Sequence, residues 1–226
     1  MEDQRFSLMD ADVGKGLIWI YGRVVGSGSE ILAQAKPGDE LDLLGPLGFP
    51  FELESIGPGS LLVAGGTGAG VLYMLARVLG HGGSKPRVLY GARSNEELSL
   101  LPWWRKLEGV DIKCSTDDGS LGMKGSVVDL LARETRNLKR KTRVYVCGPT
   151  QMMAAAAELC DEAGLDCWVS LEQRMGCAVG ACYACAFPVK GAEGYGAYVR
   201  VCRQGTVFKA EEMDWGRALG ETYGRR

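Results

Sequence analysis

The stretch QRMGCAVGACYACAFPV sets Cys177, Cys182 and Cys185 within nine residues, among glycines and alanines too small to build a core. With Cys202 the spacing becomes C-x4-C-x2-C-x16-C, three thiols on one loop and a fourth returning from a distant strand. Disulfides, a zinc ion and an iron–sulfur cluster are the chemistries that use such thiols. Disulfides persist in oxidising compartments, and the start of this chain, MEDQRFSLMD, is acidic where a signal peptide is basic. Structural zinc is usually held by two separate C-x2-4-C knuckles, and here only Cys182 and Cys185 form one. The plant-type 2Fe–2S arrangement, C-x4-C-x2-C with a distant fourth cysteine, matches the spacing, with zinc the remaining competitor. Gly176, Gly180, Ala181 and Ala184 suit a cluster, because small residues let backbone N–H groups point at the sulfurs. The other four cysteines, Cys114, Cys147, Cys160 and Cys167, fall on expected strands or a helix and read as small buried apolar residues.

A second constellation is the run VAGGTGAGVLYML, which places Gly65, Gly66, Thr67, Gly68 and Gly70 between a strand and a helix. Small residues there let a helix N-terminus approach a phosphate. The spacing is neither G-x-G-x-x-G nor a P-loop, and close helix–sheet packing alone would also use these glycines. Two further turns, YGARSNEEL and VCGPTQMM, end later strands, and in an open α/β sheet that edge binds ligands. Arg93 and Ser94 are positioned for an adenosine ribose, and Cys147, Gly148 and Pro149 for a nicotinamide. The only histidine, His81, sits in the polar LGHGGSK stretch after a helix, which argues against Ser/His/Asp chemistry and most metal hydrolases. Trp103 and Trp104 read as packing residues, and Asp117 and Asp118 as turn residues.

Elements able to position these groups are legible along the chain. RFSLMD (5–10), GLIWIYGRVV (16–25) and ELDLLG (40–45) are expected strands, with a short helix at SEILAQA (29–35) and a break at GPLGFPF. From SLLVAGG onward, apolar runs alternate with segments of helical spacing: strands at 60–66, 87–93, 110–119, 143–149 and 166–172, helices at 70–80, 96–109 (interrupted near Pro102), 125–135 and 150–164. Continuous apolar strands between helices imply a parallel sheet covered on both faces. Beyond Glu172 the chain is glycine-rich and carries no clear period.

Composition narrows the classes. The 226 residues are 46% hydrophobic, enough for a sizeable core. A formal charge of -2 and the lack of a basic run make a nucleic-acid partner unexpected. No apolar stretch is long enough to span a bilayer, so the expected location is the cytoplasm and no membrane contact is expected.

The motifs GGTGAG, G-x-R-S and STDDGSLGMKGSVVD, with the late CGP, resemble the NAD(P)-binding domain of the ferredoxin–NADP reductase superfamily. SLEQRMGCAVGACYACAFPV with YVRVCRQGTVFKAEEMDW is similar to the electron-transfer subunits of class 1B dihydroorotate dehydrogenases, and the likeness runs from about Arg5 to Trp215. The resemblance implies an α/β fold in three parts: a partial N-terminal β-barrel for flavin (1–52), a doubly wound parallel-sheet NAD-binding domain (53–168) and a small C-terminal 2Fe–2S domain (169–226). It makes Cys177, Cys182, Cys185 and Cys202 the iron ligands and sets Asp117 and Asp118 on the nicotinamide side. For FAD it implies Gly26, Ser27, Gly28 and Ser29 at a helix start for the pyrophosphate. The family's R-P-x-S turn is only partly matched: Ser7 is kept, Gln4 and Arg5 stand at the positions of its arginine and proline, and Arg5 is the available cation. Three strand candidates do not close a barrel, so about half of the family's barrel is expected to be missing.

The activity implied is electron transfer from an FMN-containing dihydroorotate dehydrogenase catalytic subunit, through a 2Fe–2S cluster and FAD, to NAD+, in a hetero-tetramer. Glu96 and Glu97 near Arg93 and Ser94 favour NADH over NADPH. Two alternatives use the same modules: a subunit of an NAD(P)H–ferredoxin or bifurcating oxidoreductase, and a non-catalytic binding subunit with a cluster but no flavin.

Overall fold

A computed structural model describes residues 6–52, 59–139, 142–191 and 193–223. Arg5 lies outside the described residues. The chain opens with β1 (Leu8–Asp12) and β2 (Leu17–Ile20), an antiparallel ribbon, followed by α1 (Ser27–Ala33), the short helix expected there. The strand expected at 40–45 does not form, and Leu41, Leu43 and Leu44 stand exposed. A strand needs a neighbour to take up its amides and carbonyls, and among the described residues the N-terminal sheet has two strands that pair only with each other.

Alternation of strand and helix then sets in as expected, with one unexpected two-residue strand, β6: β3 (Leu61–Gly65), α2 (Gly68–His81), β4 (Arg87–Ala92), α3 (Leu101–Trp104), β5 (Asp111–Thr116), β6 (Met123–Lys124), α4 (Val127–Thr135), β7 (Arg143–Cys147), α5 (Thr150–Glu162) and β8 (Asp166–Ser170). The helix expected over 96–109 is interrupted near Pro102 as expected, and what forms is shorter than its pattern: a 3-10 turn at Asn95–Glu97 and the single turn of α3. Pro102 sits in the first turn of α3, where a missing N–H is harmless, but it stops the helix from running in from upstream. The aperiodic tail contributes β9 (Ala186–Pro188), β10 (Tyr198–Arg200), α6 (Val201–Gln204), β11 (Val207–Lys209) and α7 (Trp215–Tyr223).

The main sheet has the order β11-β8-β7-β3-β4-β5-β6, all parallel except β11, which runs antiparallel to β8. Alternate residues of β3 feed two cores, as a strand buried on both faces must. Leu62 and Ala64 pack with Leu72, Leu75 and Ala76 of α2, and Leu61 and Val63 pack with Leu131 of α4 and Met153 and Ala156 of α5. The chain builds outward from β3 to β6 and then returns to β7 on the other side of β3, so the order switches between β3 and β7. Ligands bind at such a switch, beyond the carboxyl ends of the strands. The N-terminal ribbon is docked on α2 by buried Met9 and by Arg77, which reaches Asp10 at 2.6 Å.

Candidate functional site

Local structure gathers the four cysteines in two pairs. Cys185 and Cys202 are buried with their sulfurs 3.2 Å apart. Antiparallel pairing of β9 with β10 brings them together: Arg200 lies opposite Ala186, and Val201 N–H donates to the Cys185 carbonyl at 3.2 Å. Cys177 and Cys182 meet within the loop itself, where the amides of Ala181 and Cys182 donate to Cys177 Sγ at 3.2 and 3.4 Å. Curling so tightly takes left-handed backbone at Ala178 (φ 56), Gly180 (φ 87) and Tyr183 (φ 58). The Cys182 amide, followed by that of Val179, lowers the Cys177 thiol to about 6, because amide donors favour the thiolate. Burial and the neighbouring Cys185 push Cys202 up to about 11.

All eight cysteines are free thiols, so the site holds four potential thiolate ligands. Among the described residues no three His, Cys, Asp or Glu side chains close on one point as a single ion requires. Two cysteine pairs suit a two-iron cluster, which Cys177, Cys182, Cys185 and Cys202 would hold, better than the closed tetrahedron of structural zinc. The site faces outward: Cys182 is exposed, as are Val179 (54%) and Tyr183 (48%).

At the switch point the β3–α2 turn is built from glycines for lack of room. Gly66 has φ 52, and a methyl on Gly68 would strike the Cys147 carbonyl, so α2 begins against the end of β7. A methyl on Gly70 would come within 2.9 Å of the Tyr21 ring. Tyr21, tied by its hydroxyl to Ser99 Oγ at 2.6 Å, thereby joins the N-terminal ribbon to the turn. Between them opens a cavity of about 250 Å³ lined by Tyr21, Arg23, Gly66, Thr67, Glu96 and Glu97. Ser94 follows β4 with its hydroxyl donated to Glu96 Oε2, which holds the Glu96 carboxyl below its usual range, while Arg93 is exposed. Asn95 N–H donates to Ser120 Oγ at 2.8 Å, latching the β4 turn to the β5 turn, and Ser120 in turn lowers Asp118. Cys147 is fully buried, its thiol pushed up by burial, and Gly148 and Pro149 lead into α5 beside Gly65.

The expected flavin residues are less drawn together. Ser7 is exposed near the start of β1. At α1 the Ser29 hydroxyl accepts the amides of Val25 and Gly26 at 2.9 and 3.1 Å, shaping a turn that presents Ser27 and Gly28 at the helix start. Tyr21 and Arg23, which line the cavity, carry no mark in the sequence: a Tyr-Gly-Arg run after a strand has no spacing that signals a ligand.

Comparison with known proteins agrees with this geometry. Residues 172–214 match the family described as the iron–sulfur cluster binding domain of dihydroorotate dehydrogenase B, and residues 62–158 match the oxidoreductase NAD-binding domain. The electron transfer subunit of dihydroorotate dehydrogenase B (NAD(+)) from Desulforamulus reducens is 38% identical over 89% of this chain and 76% of its own length. That from Bacillus caldolyticus is 40% identical over 92% and 78%. Among solved structures, a NADH-dependent reduced ferredoxin–NADP oxidoreductase studied for flavin-based electron bifurcation superposes with a TM-score of 0.84 at 32% identity, over 98% of this chain and 77% of that one. The ferredoxin reductase of carbazole 1,9a-dioxygenase shares the fold, with a TM-score of 0.56 at 18% identity over 71% and 51%. The class is thus an NAD-linked iron–sulfur oxidoreductase built on the ferredoxin–NADP reductase fold. Within it, the chain belongs to the family of dihydroorotate dehydrogenase B (NAD(+)) electron transfer subunits.

Proposed function

We propose that this chain carries electrons from dihydroorotate oxidation, performed on an FMN-containing catalytic subunit, by way of a 2Fe–2S cluster and FAD to NAD+ in pyrimidine biosynthesis. The carrying observation is the four-cysteine set, gathered in two pairs, one buried and one on an open loop, beside a sheet whose switch point bears a nucleotide turn. When bound, the cluster exchanges single electrons, NAD+ takes a hydride, and the flavin mediates between the two. The chain binds and places these groups; it needs no acid or base of its own.

In this reading Cys177 and Cys182 hold one iron and Cys185 and Cys202 the other, with the Ala181, Cys182 and Cys202 amides directed at ligand sulfurs. Gly65, Gly66, Thr67, Gly68 and Gly70 bring the start of α2 to the NAD pyrophosphate. Arg93 and Ser94 serve its ribose, and Cys147, Gly148 and Pro149 its nicotinamide. FAD is assigned to the shaped turn of Gly26, Ser27, Gly28 and Ser29 and to the cavity beside Tyr21, with Ser7 and Arg5 as further flavin residues. The working division is 1–52 for flavin, 53–168 for NAD and 169–226 for the cluster.

A catalytic partner is implied by the subunit names of the relatives. Exposed Val179 and Tyr183 beside the cysteines are suited to an interface core, and a hetero-tetramer follows the preference for closed two-fold assemblies. Among the described residues no helix is long and apolar enough to cross a membrane, and eight unpaired thiols fit a reducing cytoplasm.

The likeness to the bifurcating oxidoreductase, over 98% of this chain, favours a second reading in which ferredoxin takes the place of the dihydroorotate-oxidising partner. Affinity purification from the native host decides between them. Co-purification with an FMN protein and dihydroorotate-dependent NAD+ reduction supports the first reading; ferredoxin-dependent activity without dihydroorotate oxidation supports the second. Cluster bands without flavin bands in the visible spectrum would reduce the chain to a binding subunit.

A further inference from the structure

An arginine in the YVRVCRQG run, Arg200, reaches from the strand beside one cysteine pair to the loop that forms the other. Arg200 ends β10, opposite Ala186, and caps the start of α6, so its backbone is fixed beside Cys185 and Cys202. Its side chain crosses to the other pair: Nη1 donates to the Gly180 carbonyl at 2.7 Å, midway along the loop from Cys177 to Cys182. The guanidinium lies over the Tyr183 ring, 4.7 Å from its centroid. Its own amide donates to Gln204 Oε1 at 2.7 Å, which steadies the base of the side chain. Both residues it grips are in left-handed backbone, φ 87 at Gly180 and φ 58 at Tyr183, and for tyrosine that conformation is costly without support. A bond to the carbonyl and a cation–π contact to the ring supply that support at the two points where the loop bends.

We propose that Arg200 is a positioning residue that ties the two cysteine pairs into one site and keeps a fixed positive charge against it, raising the reduction potential of the cluster. This role rests on the 2Fe–2S reading of the four cysteines. Taking up one electron makes the cluster more negative by one charge, and net charge and solvent exposure set the potential of such centres. A half-buried guanidinium, held at both ends, is screened less than a mobile surface cation and stabilises the reduced form.

The test is an EPR-monitored redox titration of the full chain, with iron and sulfide analysis, on the wild type, R200K and R200Q. R200Q keeps a donor for the Gly180 carbonyl and loses the charge; R200K keeps the charge. At a poise that half-reduces the wild type, R200Q should show a reduced-to-oxidised ratio lower by about tenfold, about 59 mV for a one-electron couple, while R200K titrates with the wild type. R200Q fully loaded and titrating at the wild-type potential overturns the assignment. If R200Q holds no cluster, R200K decides: loaded at the wild-type potential it supports the role, and empty or shifted it overturns it. A wild-type chain without two irons and two sulfides per cluster overturns the cluster reading itself, whatever the variants do.

Discussion

Replacing Gly68 with alanine measures how tightly the nucleotide turn is built into the sheet. The added methyl would collide with the Cys147 carbonyl and lie 2.7 Å from the Gly148 amide nitrogen. Both are backbone atoms at the end of a strand in the middle of the sheet, and cannot swing aside as a side-chain tip does. Overpacking costs about 1–3 kcal/mol, and a rigid obstacle puts this position near the upper end. Gly68 is the first residue of α2, so alanine returns up to about 1 kcal/mol in helix propensity. The net loss is about 2 kcal/mol, which for a chain of this size lowers Tm by about 4–8 °C. Because α2 must retreat from β7 to make room, KM for NADH should rise in the same variant, read by NADH-dependent dye reduction. Gly220 in α7 is the matched control: among the described residues nothing lies within 4 Å of a methyl there, so G220A should leave Tm unchanged or raise it. G68A that melts with the wild type and keeps its KM would show that the close approach of α2 to Cys147 is not a constraint on this fold.

Exchanging Cys182 for serine should abolish the cluster absorption and its reduced-state EPR signal, since oxygen is a poor match for iron–sulfur coordination, while dye reduction by NADH persists; full iron and sulfide in C182S would refute the ligand assignment. Ser126 caps α4 by accepting the Asp129 amide at 3.1 Å and donating to its carboxylate at 2.7 Å, which lowers the Asp129 carboxyl. S126A should cost about 1 kcal/mol at neutral pH. A depressed carboxyl stabilises above its unfolded pKa and loses that contribution as pH falls through the folded value, so the penalty measured by urea unfolding should shrink below about pH 4, and an unchanged penalty there would refute the capping role of the carboxylate. NADH should be preferred over NADPH, because a 2′-phosphate near Ser94 meets the carboxylates of Glu96 and Asp118, both held ionised by serine hydroxyls; E96Q should narrow the preference, and equal use of both nucleotides by the wild type would refute it.

The two-faced sheet could be read from residues because each strand is an apolar run long enough to carry its own signal. SLLVAGG needs no partner to announce itself, since every residue of β3 is buried whichever face it takes. ELDLLG carries a similar density of apolar residues yet forms no strand, because a strand is a property of two segments and the described chain offers no neighbour there. The interruption expected near Pro102 divides the 96–109 segment, and the short helix after it leaves Trp104 1% exposed in the core while Trp103 stays 45% exposed. The tail was opaque because its strands are three residues long, too short for a period, and β11 is fixed only by pairing with β8.

The cysteine spacing was legible because it encodes two kinds of proximity at once. Four residues between Cys177 and Cys182 are enough for one tight curl, so that pair is made by local backbone, with its amides turned onto sulfur. Sixteen residues between Cys185 and Cys202 are far too many for a turn, so that pair has to be made by strand pairing, which β9 and β10 supply. Nothing in the spacing says how the two pairs are held to each other, since that depends on a side chain projecting from β10 to a carbonyl on the loop. Arg200 makes that connection, and an arginine two residues before a cysteine carries no pattern of its own; only the bond to Gly180 and the Tyr183 ring beneath it give the residue a role.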